Sequence, residues 1–192
     1  LLPTRSLDKV PVGKRVAVIG CGNTAIDAVT QAKRLGATEA TIVYRRGEAD
    51  MPAYPYEYEL AKKDGCSFLF HALPVEVVAE KGHMAGLKLA RTKINSQGRV
   101  EVIKGSETVE NFDMVIKALG QEPQAKLMQK LFPKVKLDKD GTVVRDAATG
   151  QTSVKHVFAG GDCVNGGREV VNAVAEGKKA ARGIHQFLIG EK

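Results

Sequence analysis

The segment RVAVIGCGNTAIDAV, residues 15–29, constrains the fold of this chain most strongly. Its first five residues are rich in Val and Ile and alternate little, which predicts a buried strand of a parallel sheet. Gly20, Gly22 and Ala25 follow in the pattern G-x-G-x-x-A, and from Thr24 small and apolar residues recur at helical spacing until Gly36. Because ATIVY then has the composition of a second strand, the sequence predicts a strand–turn–helix–strand (βαβ) unit.

The glycine-rich turn has the composition of a phosphate-binding loop. Gly20 permits a tight turn, Gly22 lets phosphates approach the backbone, and Ala25 allows the helix to pack closely on the strand. The N–H groups at the start of the helix, near Asn23 and Thr24, would bind the anion together with the helix dipole. In a βαβ context this motif predicts a dinucleotide site. A purely structural glycine-rich turn in another α/β fold is the alternative.

The end of the second strand bears on which dinucleotide is bound. NAD sites usually place an Asp or Glu there, which accepts hydrogen bonds from the adenosine ribose. This chain has Arg45 and Arg46 in VYRRGE, and guanidinium groups complement a 2′-phosphate, which favours NADP. The alternative is that both arginines are solvated and that Glu48 contacts the ribose of NAD.

The rest of the chain has the pattern of an α/β protein with a second, antiparallel sheet. A short helix is expected in YEYELAKKDG, closed by Gly65, and a third strand in CSFLFHAL that ends at Pro74. VEVVAE, GLKLARTKI and RVEVIKG predict an antiparallel meander. DMVIKALG predicts another buried strand, and GTVVRD and VKHVFAGGD predict two more. A long helix is expected from about Glu169 to Leu188, with an apolar face.

Composition narrows the classes of function. The 192 residues carry a net charge of +7, but the basic residues are spread along the chain and aromatic residues make up only 5%, so no nucleic-acid partner is expected. The apolar runs are too short to cross a bilayer, so no membrane partner is expected. Cys21, Cys66 and Cys163 form no C-x-x-C pair and no metal-ligand spacing, which favours a cytoplasmic protein without a metal site. Since the first residue is Leu1 and not Met, we expect a segment of a longer polypeptide.

Four stretches carry a resemblance to a known family: VIGCGNTAIDAVTQAKRLGATEATIVYRR, YEYELAKKDGCSFLF, DMVIKALGQEP and TSVKHVFAGGDCVNGG. They resemble the NAD(P)H–flavin module of glutamate synthase small subunits, and equally the flavin-carrying part of dihydropyrimidine dehydrogenase. The resemblance implies a Rossmann-like NAD(P)H-binding domain at residues 11–119, with a central parallel sheet and the antiparallel meander as its crossover. It implies that residues 120–192 are the C-terminal portion of an FAD-binding domain.

The resemblance also implies further site residues. Asp162, in FAGGD, would contact the ribitol or pyrophosphate of FAD, whereas by itself this aspartate could equally cap a turn. The ALGQEP loop would cross from the nucleotide domain into the flavin domain. The other cofactor-binding residues predicted in these motifs are Ala118, Leu119, Gly120, Gly161, Glu169, Val170 and Val171. Glu57 and Glu59 are expected to be surface charges on the short helix, and Cys163 a small buried residue.

The implied activity is transfer of hydride from NADPH to FAD, followed by electron export to an electron-accepting catalytic subunit or domain. No catalytic side chain is expected, because the cofactors carry the chemistry. There is one G-x-G-x-x-A, so the N-terminal half of the FAD domain is expected outside these residues, with the cysteine clusters of any iron–sulfur centres. The lack of C-x-x-C argues against a thioredoxin reductase, in which a dithiol accepts the electrons. The alternative is a nucleotide-binding module without turnover of its own.

Overall fold

The computed structural model describes residues 9–190. The chain divides between Leu119 and Gly120 into two compact units. The assignment of a different cofactor to each predicted domain, 11–119 and 120–192, stays a prediction. Within the described range, no helix is both long enough and apolar enough to cross a bilayer.

In the described part of the first unit, strands and helices alternate up to the third strand and five more strands follow, whereas the regular elements of the described part of the second unit are helices. In chain order they are β1 Arg15–Ile19, α1 Asn23–Arg34, β2 Glu39–Val43, a 3-10 helix Glu48–Asp50, α2 Pro55–Lys63, β3 Ser67–Leu69, β4 Ala72–Glu80, β5 His83–Ile94, β6 Val100–Val102, β7 Thr108–Glu110, β8 Met114–Lys117, α3 Ala125–Leu131, α4 Asp162–Asn165 and α5 Val170–Ile189.

A parallel sheet with the strand order β3-β2-β1-β8 forms the centre of the first unit. Val16, Val18 and Ile42 on one face of the sheet and Ala17 and Val43 on the other have no exposed surface, as expected for parallel strands covered on both faces. α1 packs against this sheet through Ala25 and Val29, which are also fully buried. The predicted βαβ unit is confirmed, and the carboxyl ends of the parallel strands lie at one edge of the sheet.

The second sheet of the first unit is antiparallel and is centred on β5, which pairs with β4, β6 and β7. The predicted meander is confirmed for β4, β5 and β6, whereas β7 was not predicted. The predicted end of the third strand at Pro74 is wrong, because that strand ends at Leu69 and β4 runs from Ala72 through Pro74. Proline is accommodated there because the register shifts between Pro74 and Glu76, as in a β-bulge.

The described part of the second unit contains helices and isolated β-bridges but no regular strand. GTVVRD and VKHVFAGGD were predicted as strands, and they form only single bridges, such as Arg145 with Thr152. The backbone turns locally on both sides of GTVVRD, because the carboxylate of Asp138 accepts hydrogen bonds from the N–H groups of Asp140 and Thr142, and that of Asp146 from the N–H groups of Ala148 and Thr149, at 2.8–3.0 Å. Such side-chain acceptors compete with a strand ladder for the backbone.

The helix α5 confirms the predicted long helix, but its apolar face is largely exposed. Val170 and Leu188 are 79% and 75% exposed, and Val174 and Ile184 are also exposed. Gly183 is the buried residue of α5, where an added Cβ would collide with the backbone of Thr149. The second unit therefore leaves apolar surface open along its longest element.

Candidate functional site

The fold itself requires the first glycine of the motif. Gly20 follows β1 with a φ of +124°, a conformation that residues with a side chain rarely adopt. A Cβ at this position would collide with the carbonyl oxygen of Ala118, which follows β8, and the N–H of Gly20 donates to the carbonyl of Val43 at 3.1 Å. Gly20 thus allows the ends of β1, β2 and β8 to lie close together, and the predicted site residue Ala118 contacts it through its backbone.

The second glycine, Gly22, is not required by the surrounding protein. Its φ of −86° and ψ of 176° are open to any residue, and a Cβ built on it has no heavy atom within 4 Å. Gly22 is the N-cap of α1, and its carbonyl accepts hydrogen bonds from the N–H groups of Ala25 and Ile26 at 2.8 and 3.1 Å. What glycine provides here is open space at the start of a helix, where the first N–H groups favour an anion.

The other predicted residues at the start of α1 differ in their surroundings. Ala25 is fully buried against the sheet, as the motif predicts. Asn23 is partly buried, and its Oδ1 accepts a hydrogen bond from the backbone N–H of Tyr54 at 3.0 Å. Thr24 is exposed. The Asn23 side chain therefore ties the segment before α2 to the glycine turn, a contact that the sequence motif does not predict.

Residues 44–46, which follow β2, form what we call the arginine turn. Arg46 Nη1 lies 3.8 Å from Oδ1 of Asp50, and both side chains are more than a third exposed, so this ion pair is weak. Arg45 is exposed, and within residues 9–190 its guanidinium has no hydrogen bond or ion pair. Since β1 and β2 are parallel neighbours, this turn lies at the same edge of the sheet as Gly22. The Arg45 guanidinium is available to an anionic ligand there.

Glu48, the alternative ribose acceptor, interacts with a tyrosine of the protein. Burial of the Tyr58 hydroxyl, and after it the hydrogen bond to the Glu48 carboxylate, raise the pKa of Tyr58 to about 12. Tyr58 belongs to α2 and is only 8% exposed. The Glu48 carboxylate is thus directed towards α2.

Glu57 and Glu59 were both expected to be surface charges, and this is wrong for Glu57. Its Oε1 accepts a hydrogen bond from the Tyr56 hydroxyl at 3.3 Å, whereas its Oε2 is buried without a hydrogen-bond partner in the described part of the chain. Such an oxygen is uncommon in proteins, because it costs about 1–3 kcal/mol. Glu59 is exposed and pairs with Lys62 at 2.6 Å. The two acids are two residues apart and therefore face different sides of α2.

In the second unit, the glycines of FAGGD are held by α5. The N–H of Gly161 donates to Oε2 of Glu176 at 2.7 Å, and a Cβ on Gly160 would press on the Glu176 backbone at 3.0 Å. Gly161 is buried with a φ of +80°. Asp162, at the start of α4, is exposed, and the N–H of Arg168 reaches its Oδ1 at a long 3.5 Å. The carboxylate of Asp162 therefore remains open to a ligand.

Glu176 is a residue of this loop that sequence reasoning missed. Its Oε1 lies 3.2 Å from Nη2 of Arg145, and both side chains are 17% exposed. Burial acts to raise the pKa of Glu176, but the hydrogen bond from the Gly161 N–H and the charge of Arg145 help to leave the pKa below its ordinary value. Glu176 therefore stays ionised and fixes the loop before Asp162. No motif marks it, because it lies 15 residues after Gly161 on a helix.

The remaining predicted site residues lie at the start of α5 and where the first unit ends. Val170 and Val171 are exposed, and Glu169 is the exposed N-cap of α5. Leu119 is 68% exposed and Gly120 has a φ of +86°. Their contacts with a cofactor stay predictions.

Cys163 was expected to be buried, and this is wrong. It is exposed, and its thiol donates to the carbonyl of Gly160 at 3.4 Å. The short helix α4 turns this side chain outward directly after Asp162.

Known proteins resemble the chain in sequence and in fold. It is 40% identical over 190 residues to the NADP(+)-dependent formate dehydrogenase subunit beta of Moorella thermoacetica, covering 95% of this chain and 26% of that protein. It is 39% identical over 186 residues to the glutamate synthase (NADPH) small chain of Escherichia coli (strain K12), covering 92% and 39%. The chain thus spans less than half the length of these relatives.

A solved structure shares the fold. The crystal structure of T. acidophilum thioredoxin reductase superimposes with a TM-score of 0.74 at 26% identity, covering 92% of this chain and 53% of that one. Residues 4–177 match the family described as pyridine nucleotide-disulphide oxidoreductase. The matched residues include the parallel sheet, the open glycine turn and the FAGGD loop. The chain therefore belongs to the pyridine nucleotide-disulphide oxidoreductase family.

Proposed function

We propose that this chain is an oxidoreductase module in which NADPH supplies hydride to FAD and the electrons pass on to a partner subunit or domain. The observation that carries the proposal is the open space at Gly22, at the edge of the parallel sheet where the Arg45 guanidinium, which has no partner within residues 9–190, also lies. The open space beside Gly22 suits a pyrophosphate, because glycine leaves empty the space that a side chain would fill. The Arg45 guanidinium suits a 2′-phosphate.

One contact in the first unit and the names of two relatives favour NADPH over NADH. The Glu48 carboxylate interacts with Tyr58, which leaves it less suited to accept from a ribose. The relatives described above carry NADP(+) or NADPH in their names. Among the residues of this unit, we assign Gly20, Gly22, Asn23, Thr24, Ala25, Arg45, Arg46, Ala118 and Leu119 to the nucleotide site.

The second unit supports the flavin part of the proposal. Its exposed Asp162 follows two glycines that Glu176 holds in place, which suits a contact to the ribitol or pyrophosphate of FAD. The exposed apolar face of α5 is what we expect of a domain completed by more polypeptide. Because both relatives are more than twice as long as the matched region, we propose that the N-terminal half of the FAD domain supplies that cover. Gly120, Gly161 and the start of α5 would complete the site.

The role of the protein in this chemistry is to bind and orient. The chain's own residues bind the phosphates at the turn, select the nucleotide at Arg45 and fix the loop before Asp162, and no side chain has to move a proton. We propose that the electron acceptor and any iron–sulfur clusters belong to parts of the protein outside these 192 residues, and that the protein is cytoplasmic. A nucleotide-binding module without turnover is the alternative.

Flavin retention distinguishes the proposed oxidoreductase module from a nucleotide-binding module without turnover. The 192-residue chain should purify colourless, because tight sites bury most of their ligand and half a flavin domain cannot. Adding the N-terminal half, fused or in trans, should restore stoichiometric FAD that bleaches with NADPH, and Asp162→Ala should weaken its retention. Stoichiometric FAD on the 192-residue chain, or none on the completed protein, would contradict the flavoprotein proposal and favour the binding module.

A further inference from the structure

We infer that Thr92 is a positioning residue for nucleotide selectivity: its hydroxyl fixes the backbone of the arginine turn, and this orients Arg45 towards the 2′-phosphate. The inference rests on the proposed NADPH site. Thr92 lies on β5, in the antiparallel sheet, and is outside the motifs that mark that site.

Each of the three backbone carbonyls of the arginine turn accepts a hydrogen bond from another segment of the first unit. The carbonyl of Tyr44 accepts from the N–H of Ala72 at 3.0 Å, and that of Arg46 accepts from the N–H of His71 at 3.0 Å. The central carbonyl, of Arg45, accepts from Oγ1 of Thr92 at 2.7 Å. Of these three hydrogen bonds, the one to Arg45 is the shortest, and it is the one whose donor is a side chain.

The same threonine also fixes the neighbouring loop. The backbone N–H of Thr92 donates to the carbonyl of His71 at 2.9 Å. His71 has a φ of +54°, which is uncommon in a residue other than glycine, and its N–H donates to the carbonyl of Arg46. Thr92 is 4% exposed, so water does not replace its hydroxyl readily. The two donors of Thr92 thus connect β5 to both arginines of the turn.

The backbone of the arginine turn needs this restraint because the Arg45 side chain is not anchored by the rest of the described protein. Arg46 has Asp50 at 3.8 Å as a partial anchor, whereas the Arg45 guanidinium has no partner within residues 9–190. Its position therefore depends on the backbone from which it extends. A guanidinium that recognises a phosphate must be held to within about 0.5 Å of the productive geometry. Loss of the Thr92 hydroxyl should affect the ligand that uses Arg45, which is NADPH, and spare NADH.

The test compares dissociation constants for NADPH and NADH by calorimetry at fixed ionic strength. Thr92→Val keeps the shape of the side chain and removes the donor. We expect it to weaken NADPH binding roughly tenfold, the size of one lost charge-assisted contact, with a change of less than about threefold for NADH. Thr92→Ser restores the hydroxyl and should restore the preference. If Thr92→Val does not fold, Thr92→Cys replaces the hydroxyl with a weak donor and carries the same expectation.

Thr30→Val is the matched control. Thr30 lies in the same unit, is 5% exposed, and its hydroxyl donates to the carbonyl of Ile26 at 2.9 Å within α1. This variant also removes a buried hydroxyl from the first unit, and it should keep the nucleotide preference. A preference lost equally in Thr30→Val would mean that general destabilisation is the cause and would overturn the role of Thr92.

Arg45→Ala separates failure of the inference from failure of the proposed site. If Arg45→Ala removes the preference while Thr92→Val keeps it, the role of Thr92 is wrong and the NADPH site stands. If the unaltered chain binds both nucleotides equally and Arg45→Ala changes neither, the NADPH assignment is wrong and the role of Thr92 falls with it.

Discussion

The two glycines of the motif should respond to substitution in opposite ways. Gly20 has a φ of +124° and its absent Cβ leaves room for the Ala118 carbonyl, whereas Gly22 has an ordinary φ and open space beside it. We therefore expect Gly20→Ala to lose stability before it affects binding. Gly22→Val should fold and lose the dinucleotide.

The expected magnitudes differ enough to measure. In Gly20→Ala, backbone strain costs about 1–3 kcal/mol and the steric overlap another 1–3 kcal/mol or so, out of a total stability of about 5–15 kcal/mol. In Gly22→Val, a poorer N-cap costs about 1 kcal/mol at most. The valine branches occupy the space that the pyrophosphate needs, and losing two charge-assisted hydrogen bonds weakens NADPH binding by roughly a hundredfold or more.

Thermal unfolding by circular dichroism and NADPH titration by calorimetry measure the two effects separately. Gly36→Ala is a control, because Gly36 also has a positive φ, +107°, but no atom lies within 4 Å of its Cβ position. It should show the strain without the steric overlap, so Gly20→Ala should be the less stable of the two. Normal NADPH binding by a folded Gly22→Val variant would refute the assignment of the open space to the pyrophosphate.

Two further predictions concern charge and thiols. The pKa of Glu176 is lowered in the folded state, so its contribution to stability is present above its ordinary value of 4.5 and is lost as the pH falls through the lower folded value. Glu176→Gln should cost about 1 kcal/mol at pH 7 and show a shallower loss of stability on acidification in urea titrations, and an unchanged acid dependence would contradict this. Burial raises the pKa of Cys21 to about 11 and also raises that of Cys66, whereas Cys163 is exposed. A thiol reagent at pH 7.5 should modify Cys163 in the native chain and the other two only after unfolding, and rapid native modification of Cys21 would contradict its burial.

Local pattern was sufficient to predict the parallel half of the first unit. The strand at residues 15–19, the helix after it and the second strand are confirmed, because runs of Val and Ile mark the strands and a helical period that ends at Gly36 marks the helix. Prediction failed where the residue pattern does not reveal how the backbone is hydrogen-bonded. Pro74 continues a strand beside a β-bulge, and GTVVRD does not form a regular strand because the carboxylates of Asp138 and Asp146 bind backbone N–H groups on either side of it.

The candidate site was predicted only as far as its motifs extend. Gly22 and Arg45 belong to contiguous patterns, whereas Thr92 bonds to a carbonyl 47 residues earlier and Glu176 to an N–H 15 residues earlier. Contacts of this kind are set by the pairing of sheets and the direction of a helix, and a single sequence does not record them. The buried oxygen of Glu57 is also set by tertiary packing, since residue type alone does not distinguish Glu57 from the exposed Glu59.

The first unit buries its own hydrophobic core, whereas the second unit leaves apolar residues of α5 exposed. The two proposed cofactor sites therefore differ in how well the surrounding protein supports them. Val16, Val18 and Ile42 have no exposed surface, so the edge that presents Gly22 and the arginine turn rests on a fully packed sheet. In the second unit the residues of α5 that should form a core are exposed, and the loop before Asp162 depends on Glu176 and Arg145 for its shape. A ligand site needs supporting residues that are themselves fixed by packing. Nucleotide binding should therefore be a property of these residues alone, whereas flavin retention should depend on the polypeptide that covers α5.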